Sequence, residues 1–168
     1  LLARRGRAKR KERGLSALSG AVIALHAGEP AQARDLAREA RNHLGGNEAA
    51  QLVEAQAHLA LGDMAAAREH YRALIGNNKT ALAALSGLHQ QAKAQGRHNA
   101  ALTFARKAAA IAPQTGWATN AVFDDLVRKG AWQQAIEMTA NAPVTRREDK
   151  PARRHRLAVL ETALALSL

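Results

Sequence analysis

The sequence contains no cysteine and few aromatic residues. With no thiol among its 168 residues, a disulfide scaffold, a thiolate metal site and a cysteine nucleophile are all excluded. Aromatic residues make up only 3% of the chain, far fewer than a β-sandwich or barrel uses in its core. No apolar run approaches the ~18 residues that a membrane-spanning helix needs. Because 47% of the residues are nevertheless apolar and alanine is abundant, the composition favours closely packed helices.

The positive charge is concentrated in two short segments. The formal net charge is +11, and seven of the first fourteen residues are basic, while a second basic segment covers residues 146–156. The rest of the chain is nearly neutral, which argues against a nucleic-acid-binding face spread over the protein. The basic residues of the first segment are Arg4, Arg5, Arg7, Lys9, Arg10, Lys11 and Arg13.

Three interpretations of this N-terminal segment stay open. It is a solvated tail, or the cytoplasmic flank of a preceding membrane helix, where Lys and Arg concentrate and meet anionic lipid headgroups. The third interpretation is a nucleic-acid-binding arm. It ranks lowest because no aromatic side chain stands among the charges to stack on bases. We therefore expect lipid headgroups rather than nucleic acid as the ligand of these charges.

Four glycines recur at a spacing of 34 residues, and each is followed by an alanine five positions later. A fixed period in this range is typical of a solenoid built from repeated helix pairs. We expect each glycine to end a helix in left-handed backbone and each alanine to let two helices approach closely. The residues are Gly28, Gly62, Gly96 and Gly130, with Ala33, Ala67, Ala101 and Ala135.

The pattern predicts an all-α fold of four helix-turn-helix units and one extra C-terminal helix, wound into an α-α superhelix. The predicted helix pairs are 15–27 with 30–44, 48–61 with 64–75, 80–94 with 98–112, and 115–129 with 132–140. The units cover residues 15–46, 47–79, 80–113 and 114–142, and a partial fifth unit covers 150–168. The last helix has an apolar stripe without a predicted partner, so a homodimer of this fragment is expected.

The 34-residue period resembles the tetratricopeptide repeat. The third unit has the fullest pattern, with Gly96, Ala101, Ala108 and Pro113 at the positions that this family uses. Longer strings across nearly the whole chain resemble the HemY-like tetratricopeptide proteins of proteobacteria. The most specific are GLHQQA at 87–92, the tryptophan and alanine at 117–118 after Pro113, and RHRLAVL at 154–160.

That resemblance implies a location and a biological context. Members of this family are anchored in the bacterial inner membrane by two N-terminal helices, with their repeats on the cytoplasmic side. Residues 1–14 would then be a basic linker after an anchor that this chain lacks, and residues 15–168 would be the repeat domain. The family is associated with haem and porphyrin biosynthesis, which implies other proteins or peptides as partners, haem-pathway enzymes among them.

The sequence shows no catalytic constellation. Phosphate-binding, dinucleotide, zinc-protease and nucleophile-elbow motifs are all absent from it. Glu54 and His58 stand four residues apart on one helix face and would make half of a metal site, but no third ligand follows at a readable spacing. We therefore interpret them as a surface pair, and we expect no enzyme activity, no cofactor and no metal.

A binding groove is the better candidate for function. In stacked helix pairs the first helices line the concave side, which repeat proteins use to bind partners. Amides at such positions bind an extended peptide backbone, and Lys93 and Arg128 are suited to a carboxylate. The candidate groove residues are Gln56, Gln90, Lys93, Asn120, Asp124 and Arg128.

We therefore predict a non-enzymatic protein–protein interaction scaffold at the cytoplasmic face of the inner membrane, associated through its family resemblance with haem biosynthesis. One alternative is a porphyrin or haem carrier. A less favoured alternative is an RNA-binding helical repeat, which would require a steep salt dependence of binding.

Overall fold

A computed structural model describes residues 2–142 and 149–168, and in this part of the chain all regular structure is helical. This confirms the predicted all-α class. The chain divides into two compact units, Leu1–Arg97 and His98–Leu168. Unit 1 contains α1 (Leu2–His26), α2 (Pro30–His43), α3 (Glu48–Ala60), α4 (Met64–Leu74) and α5 (Ala81–Ala94). Unit 2 contains α6 (His98–Ile111), α7 (Gly116–Arg128), α8 (Trp132–Asn141) and α9 (Asp149–Ser167).

The helices α2 to α8 begin and end within one or two residues of the predicted bounds. Local signals explain this agreement. Pro30 stands in the first turn of α2, and the side chains of Asn47 and Asp63 cap α3 and α4 by accepting hydrogen bonds from Ala50 N and Ala66 N. Each of these residues acts on the backbone of its own segment, so its effect can be read directly from the sequence.

The first helix is longer than predicted. Residues 2–14, which the sequence analysis treated as a linker, belong to α1, whereas the predicted helix began at residue 15. Two contacts explain the extension: Arg10 Nη2 donates a 2.8 Å hydrogen bond to the Asn42 carbonyl at the end of α2, and Gly14 lies against Leu44. Lysine and arginine also have high helix propensity, so the basic composition is compatible with a helix.

Small residues build the core between α1, α2 and α3. Each of three layers takes one buried residue from each helix, and the leucines Leu18, Leu25 and Leu36 pack around these layers. Along each helix the layer residues are three or four positions apart, which places them on one helix face. The layers are Ala17, Ala40 and Ala50; Ala21, Ala37 and Val53; and Ala24, Ala33 and Ala57.

Larger side chains fill the core between α4 and α5. Tyr71 is 2% exposed, and a Cβ atom added to Gly87 would overlap its ring. Burial raises the pKa of the Tyr71 hydroxyl to about 12. Leu74, Leu85 and Leu88 are buried in the same unit. The absence of a side chain at position 87 therefore makes room for the tyrosine ring of the neighbouring helix.

In unit 2, α6 packs on α7, α7 on α8, and α8 on α9. Its buried residues include Ala108, Ala118, Ala135 and Leu160, one from each helix. On α9, Val159 and Leu166 remain exposed. None of the helices in the described part of the chain combines the length and the apolar character that crossing a bilayer requires.

Candidate functional site

The glycines and alanines that recur every 34 residues have the same local structure at each occurrence in the described part of the chain. The four glycines all have positive φ angles, between 67° and 81°, and each follows the end of a helix. This is backbone that residues with a Cβ atom seldom adopt. The four alanines that follow at the fifth position, Ala33, Ala67, Ala101 and Ala135, are all buried.

Three predicted groove residues lie in unit 1 and three in unit 2. Gln56 on α3 and Gln90 and Lys93 on α5 are exposed, and Gln90 Nε2 donates a 3.3 Å hydrogen bond to Ser86 Oγ. In unit 2, Asn120 and Asp124 on α7 are exposed. The side chains of all five therefore point to solvent, where they are available to a ligand.

Arg128 already has a carboxylate partner. Its guanidinium lies 3.3 Å from Asp125, as does that of Arg106 on α6, and Lys129 Nζ donates a 2.8 Å hydrogen bond to the same carboxylate. The side chain of Asp125 is only 6% exposed. The hydrogen bond from Lys129, followed by the charges of Lys129, Arg128 and Arg106, lowers the pKa of Asp125 against the opposing effect of burial. This cluster joins α6 to α7 and leaves Arg128 less free for a ligand than predicted.

A cleft of about 480 Å³ opens in unit 2 between α6, α7, α8 and α9. Its walls are mainly apolar, and two arginines of α9 are among its lining residues. The guanidinium of Arg156 lies 5.2 Å from the centre of the Phe123 ring, and Arg153 donates to the carbonyl of Ala140. The lining also includes Asn120, Pro113 and Met138. Of the predicted groove residues, Asn120 is the one that lines this cleft.

The cleft lining includes three residues that were not predicted as binding residues from the sequence: Phe123, Arg153 and Arg156. Both arginines lie in the basic segment 146–156, which was noted only for its charge, and Arg146 and Arg147 lie outside the described residues. The charge of Arg153 and Arg156 gives no indication of the apolar cleft wall that these two side chains meet. The cleft forms only because α9 packs on α8, which brings residues far apart in sequence together.

The basic N-terminal segment forms a second pocket, of about 420 Å³, in unit 1. Lys9, Arg10 and Arg13 line it on α1, and Asn42 and His43 line it at the end of α2. The end of a helix carries a partial negative charge, which the nearby cations neutralise. All the basic side chains of residues 4–13 are exposed to solvent.

The Glu54–His58 pair is not a surface pair, which corrects the sequence analysis. Glu54 is 1% exposed and His58 is 8% exposed. Glu54 contacts both α2 and α4, and His58 contacts α4. Arg41 Nε donates a 2.9 Å hydrogen bond to Glu54 Oε2, and Arg38 Nε lies 3.3 Å from Oε1. His70, on the next helix, places its Nε2 atom 3.9 Å from Glu54 Oε1.

The two histidines of this cluster lie ring against ring. The ring centroids of His58 and His70 are 5.5 Å apart with 21° between the ring planes. Burial lowers the pKa of His70, with the nearby Glu54 carboxylate acting in the opposite direction and His58 and Arg41 adding to the lowering. His58 Nδ1 lies 3.2 Å from Asp63 Oδ2, but it is buried and its geometry makes no hydrogen bond.

A search of protein-family models gives no match to this chain, and a search of curated proteins gives no match either. The resemblance to HemY-like proteins therefore stays a prediction from the sequence.

Proposed function

We propose that this protein is a non-enzymatic scaffold of the tetratricopeptide type, in which successive helix pairs form an α-α superhelix that binds segments of other proteins. The support is the 34-residue period together with the four left-handed glycines that end helices at this period. Helical repeat proteins of this kind bind partners on the surfaces that their helix pairs present.

The cleft of unit 2 is the observation that carries the binding role. A mainly apolar cleft whose lining includes two arginines suits a peptide that has an apolar side chain next to a carboxylate. Asn120 adds an amide that can pair with a peptide backbone through both its donor and its acceptor. The partner is thus a protein segment or C-terminus that is apolar and acidic.

The proposed location is the cytoplasmic face of a bacterial inner membrane. It is supported by the basic surface of residues 4–13, which is suited to anionic lipid headgroups, and by the family resemblance. The association with haem biosynthesis rests on that resemblance alone. We propose haem-pathway enzymes as the first partners to be tested.

The test is cross-linking of the full-length protein in its native membranes, followed by mass spectrometry of the proteins that copurify. The cleft variant carries Arg153→Gln and Arg156→Gln. The matched control is Lys150→Gln with Arg154→Gln, which removes the same charge from exposed positions of the same helix. We expect a set of enriched proteins that the control retains and the cleft variant loses.

Two results would contradict the proposal. Enrichment no greater than for an unrelated membrane protein would exclude the scaffold, and an enriched set unchanged in the cleft variant would exclude the cleft as its binding surface. Recovery of haem-pathway enzymes in the enriched set would support the proposed context.

A porphyrin carrier is the second candidate. The ring of Phe123 and the two arginines would also suit a planar aromatic acid with carboxylate arms. A porphyrin titrated into the purified chain would then show a Soret shift that the Arg153→Gln, Arg156→Gln variant loses. The scaffold predicts no such shift.

A further inference from the structure

Three potential metal ligands meet on unit 1, although the sequence spacing reveals only two of them. Glu54 and His58 stand on α3 and His70 on α4, and one ligand atom from each lies within 4.8 Å of the other two. Around a tetrahedral zinc ion, donor atoms about 2.0 Å from the metal stand roughly 3.4 Å from each other. The three atoms thus lie close enough for one ion to be shared among them once the side chains adjust.

The burial of the cluster separates it from an ordinary group of surface acids. Glu54 is 1% exposed, His58 is 8% exposed, and the side chain of His70 is 19% exposed. The Nδ1 atom of His58 is buried and makes no hydrogen bond, which is costly for a polar atom inside a protein. A metal ion bound at the other ring nitrogen would hold the ring so that Nδ1 donates to Asp63 Oδ2, which lies 3.2 Å away.

We propose that Glu54, His58 and His70 form a binding site for a divalent transition metal ion, with Zn²⁺ as the best fit. Two imidazoles and one carboxylate match the donors that zinc accepts, and three protein ligands leave a fourth position for water. Because His70 belongs to a different helix from the other two ligands, the bound ion would tie α3 to α4.

The two arginines next to Glu54 oppose a cation, and their positions show how the site accommodates one. Arg38 contacts Oε1, the oxygen nearer His70, and its side chain is 49% exposed, so it can turn into water when a metal takes this oxygen. Arg41 contacts the other oxygen, Oε2, and can remain there as an outer partner that orients the carboxylate. Asp63 Oδ2, 3.2 Å from His58 Nδ1, is placed to orient the imidazole in the same way.

The experiment is a calorimetric titration of the chelator-treated full chain with Zn²⁺, paired with thermal unfolding in the presence and absence of the metal. We expect one Zn²⁺ per chain and a rise in the unfolding temperature. Loss of a ligand in His58→Gln or His70→Gln should weaken binding by more than about 100-fold, beyond what the loss of an outer partner costs. The matched control is His98→Gln, an exposed histidine of α6 that should bind Zn²⁺ like the wild type.

A further variant keeps the test decisive if a ligand variant fails to fold. In Arg38→Gln all three ligands remain and one opposing charge is removed, so Zn²⁺ should bind more tightly, by several-fold or more. Failure to bind one Zn²⁺ at micromolar concentration would overturn the proposal. So would equal binding by His70→Gln and His98→Gln, because the metal would then sit on surface histidines. In either case the cluster is a buried ion pair only.

Discussion

In the described part of the chain, Glu54 and Asp125 are buried carboxylates with the same kind of surroundings. Each lies on a first helix of a pair and is contacted by arginines of the helix before it, Arg38 and Arg41 in one case and Arg106 in the other. A buried charge is tolerated only when it is paired, so these contacts fix how neighbouring helices meet. The cations themselves remain partly exposed, which lowers the cost of the arrangement.

The lowered pKa of Asp125 predicts a specific pH dependence of stability. Since the folded pKa lies below the ordinary 3.8, the unfolded chain binds the proton first as the pH falls. The stabilising contribution is therefore present above about pH 3.8 and is lost as the pH falls through the folded pKa. In urea unfolding between pH 6 and pH 3, we expect Asp125→Asn to lose less stability than the wild type.

Asp124→Asn is the control for this measurement, because it removes the exposed carboxylate next in sequence. It should keep most of the pH dependence of the wild type. Identical pH profiles for Asp125→Asn and the wild type would show that the three cations do not stabilise the charged form.

Gly87→Ala tests the packing of α5 against Tyr71. The new methyl group would overlap the ring, and overpacking of this kind costs about 1–3 kcal/mol. Chemical denaturation should show this loss of unfolding free energy. The control Gly6→Ala, which has open space at the new Cβ inside α1, should instead gain up to ~1 kcal/mol from helix propensity. A Gly87→Ala protein as stable as the wild type would mean that the ring moves away freely.

At the scale of the helices, individual capping residues differ in how they stabilise the start of a helix. Asn47 Oδ1 accepts a 3.0 Å hydrogen bond from Ala50 N at the start of α3, whereas Thr115 before α7 makes no such bond with its side chain. The two positions precede α3 and α7, each of which the sequence predicts as the first helix of a pair. They therefore form a natural pair for comparing a capped helix with an uncapped one.

Asn47→Ala should destabilise the protein by about 0.5–2 kcal/mol, because Ala50 N loses its hydrogen-bond acceptor. Thr115→Ala should change the unfolding free energy by less than about 0.5 kcal/mol. Urea denaturation of both variants measures the difference. Equal losses in the two variants would contradict the assignment of the cap to Asn47.

At the scale of the whole molecule, charge and the division into two units are the main features. Much of the net charge of +11 comes from residues 4–13, whose side chains are exposed along the start of α1. The helix presents these charges at fixed positions, whereas a flexible tail would not. Basic groups near an anionic membrane contribute about 1 kcal/mol each at moderate ionic strength.

This feature predicts binding to phosphatidylserine vesicles that weakens as salt is raised. Neutralising Lys9, Lys11 and Arg13 to Gln should weaken vesicle binding in sedimentation assays by at least about tenfold. The control replaces three exposed cations elsewhere, Lys79, Arg97 and Lys107, with Gln. Equal losses in both variants would show that only net charge matters and that α1 is not the contact surface.

The prediction agrees best with the structure for the bounds of the helices, which depend on the chemistry of neighbouring residues. The helix bounds followed from turn glycines, Pro30 and Asn47, each of which acts on its own backbone segment. The start of α1 was mispredicted because its stabilising contact, Arg10 to the Asn42 carbonyl, joins residues 32 positions apart. Of the six predicted groove residues, Asn120 alone lines the cleft, because repeat period and helix face select exposed positions but not those around a particular cavity.

The meeting of side chains from different helices was decided only by the tertiary structure. Residue types and their 34-residue period determine where helices form and which faces are apolar, since both depend on interactions within a few residues. That His70 joins Glu54 and His58, and that Arg156 covers Phe123, depends on the packing of one helix on another. Small rotations of a helix change such contacts completely, and no sequence spacing encodes them.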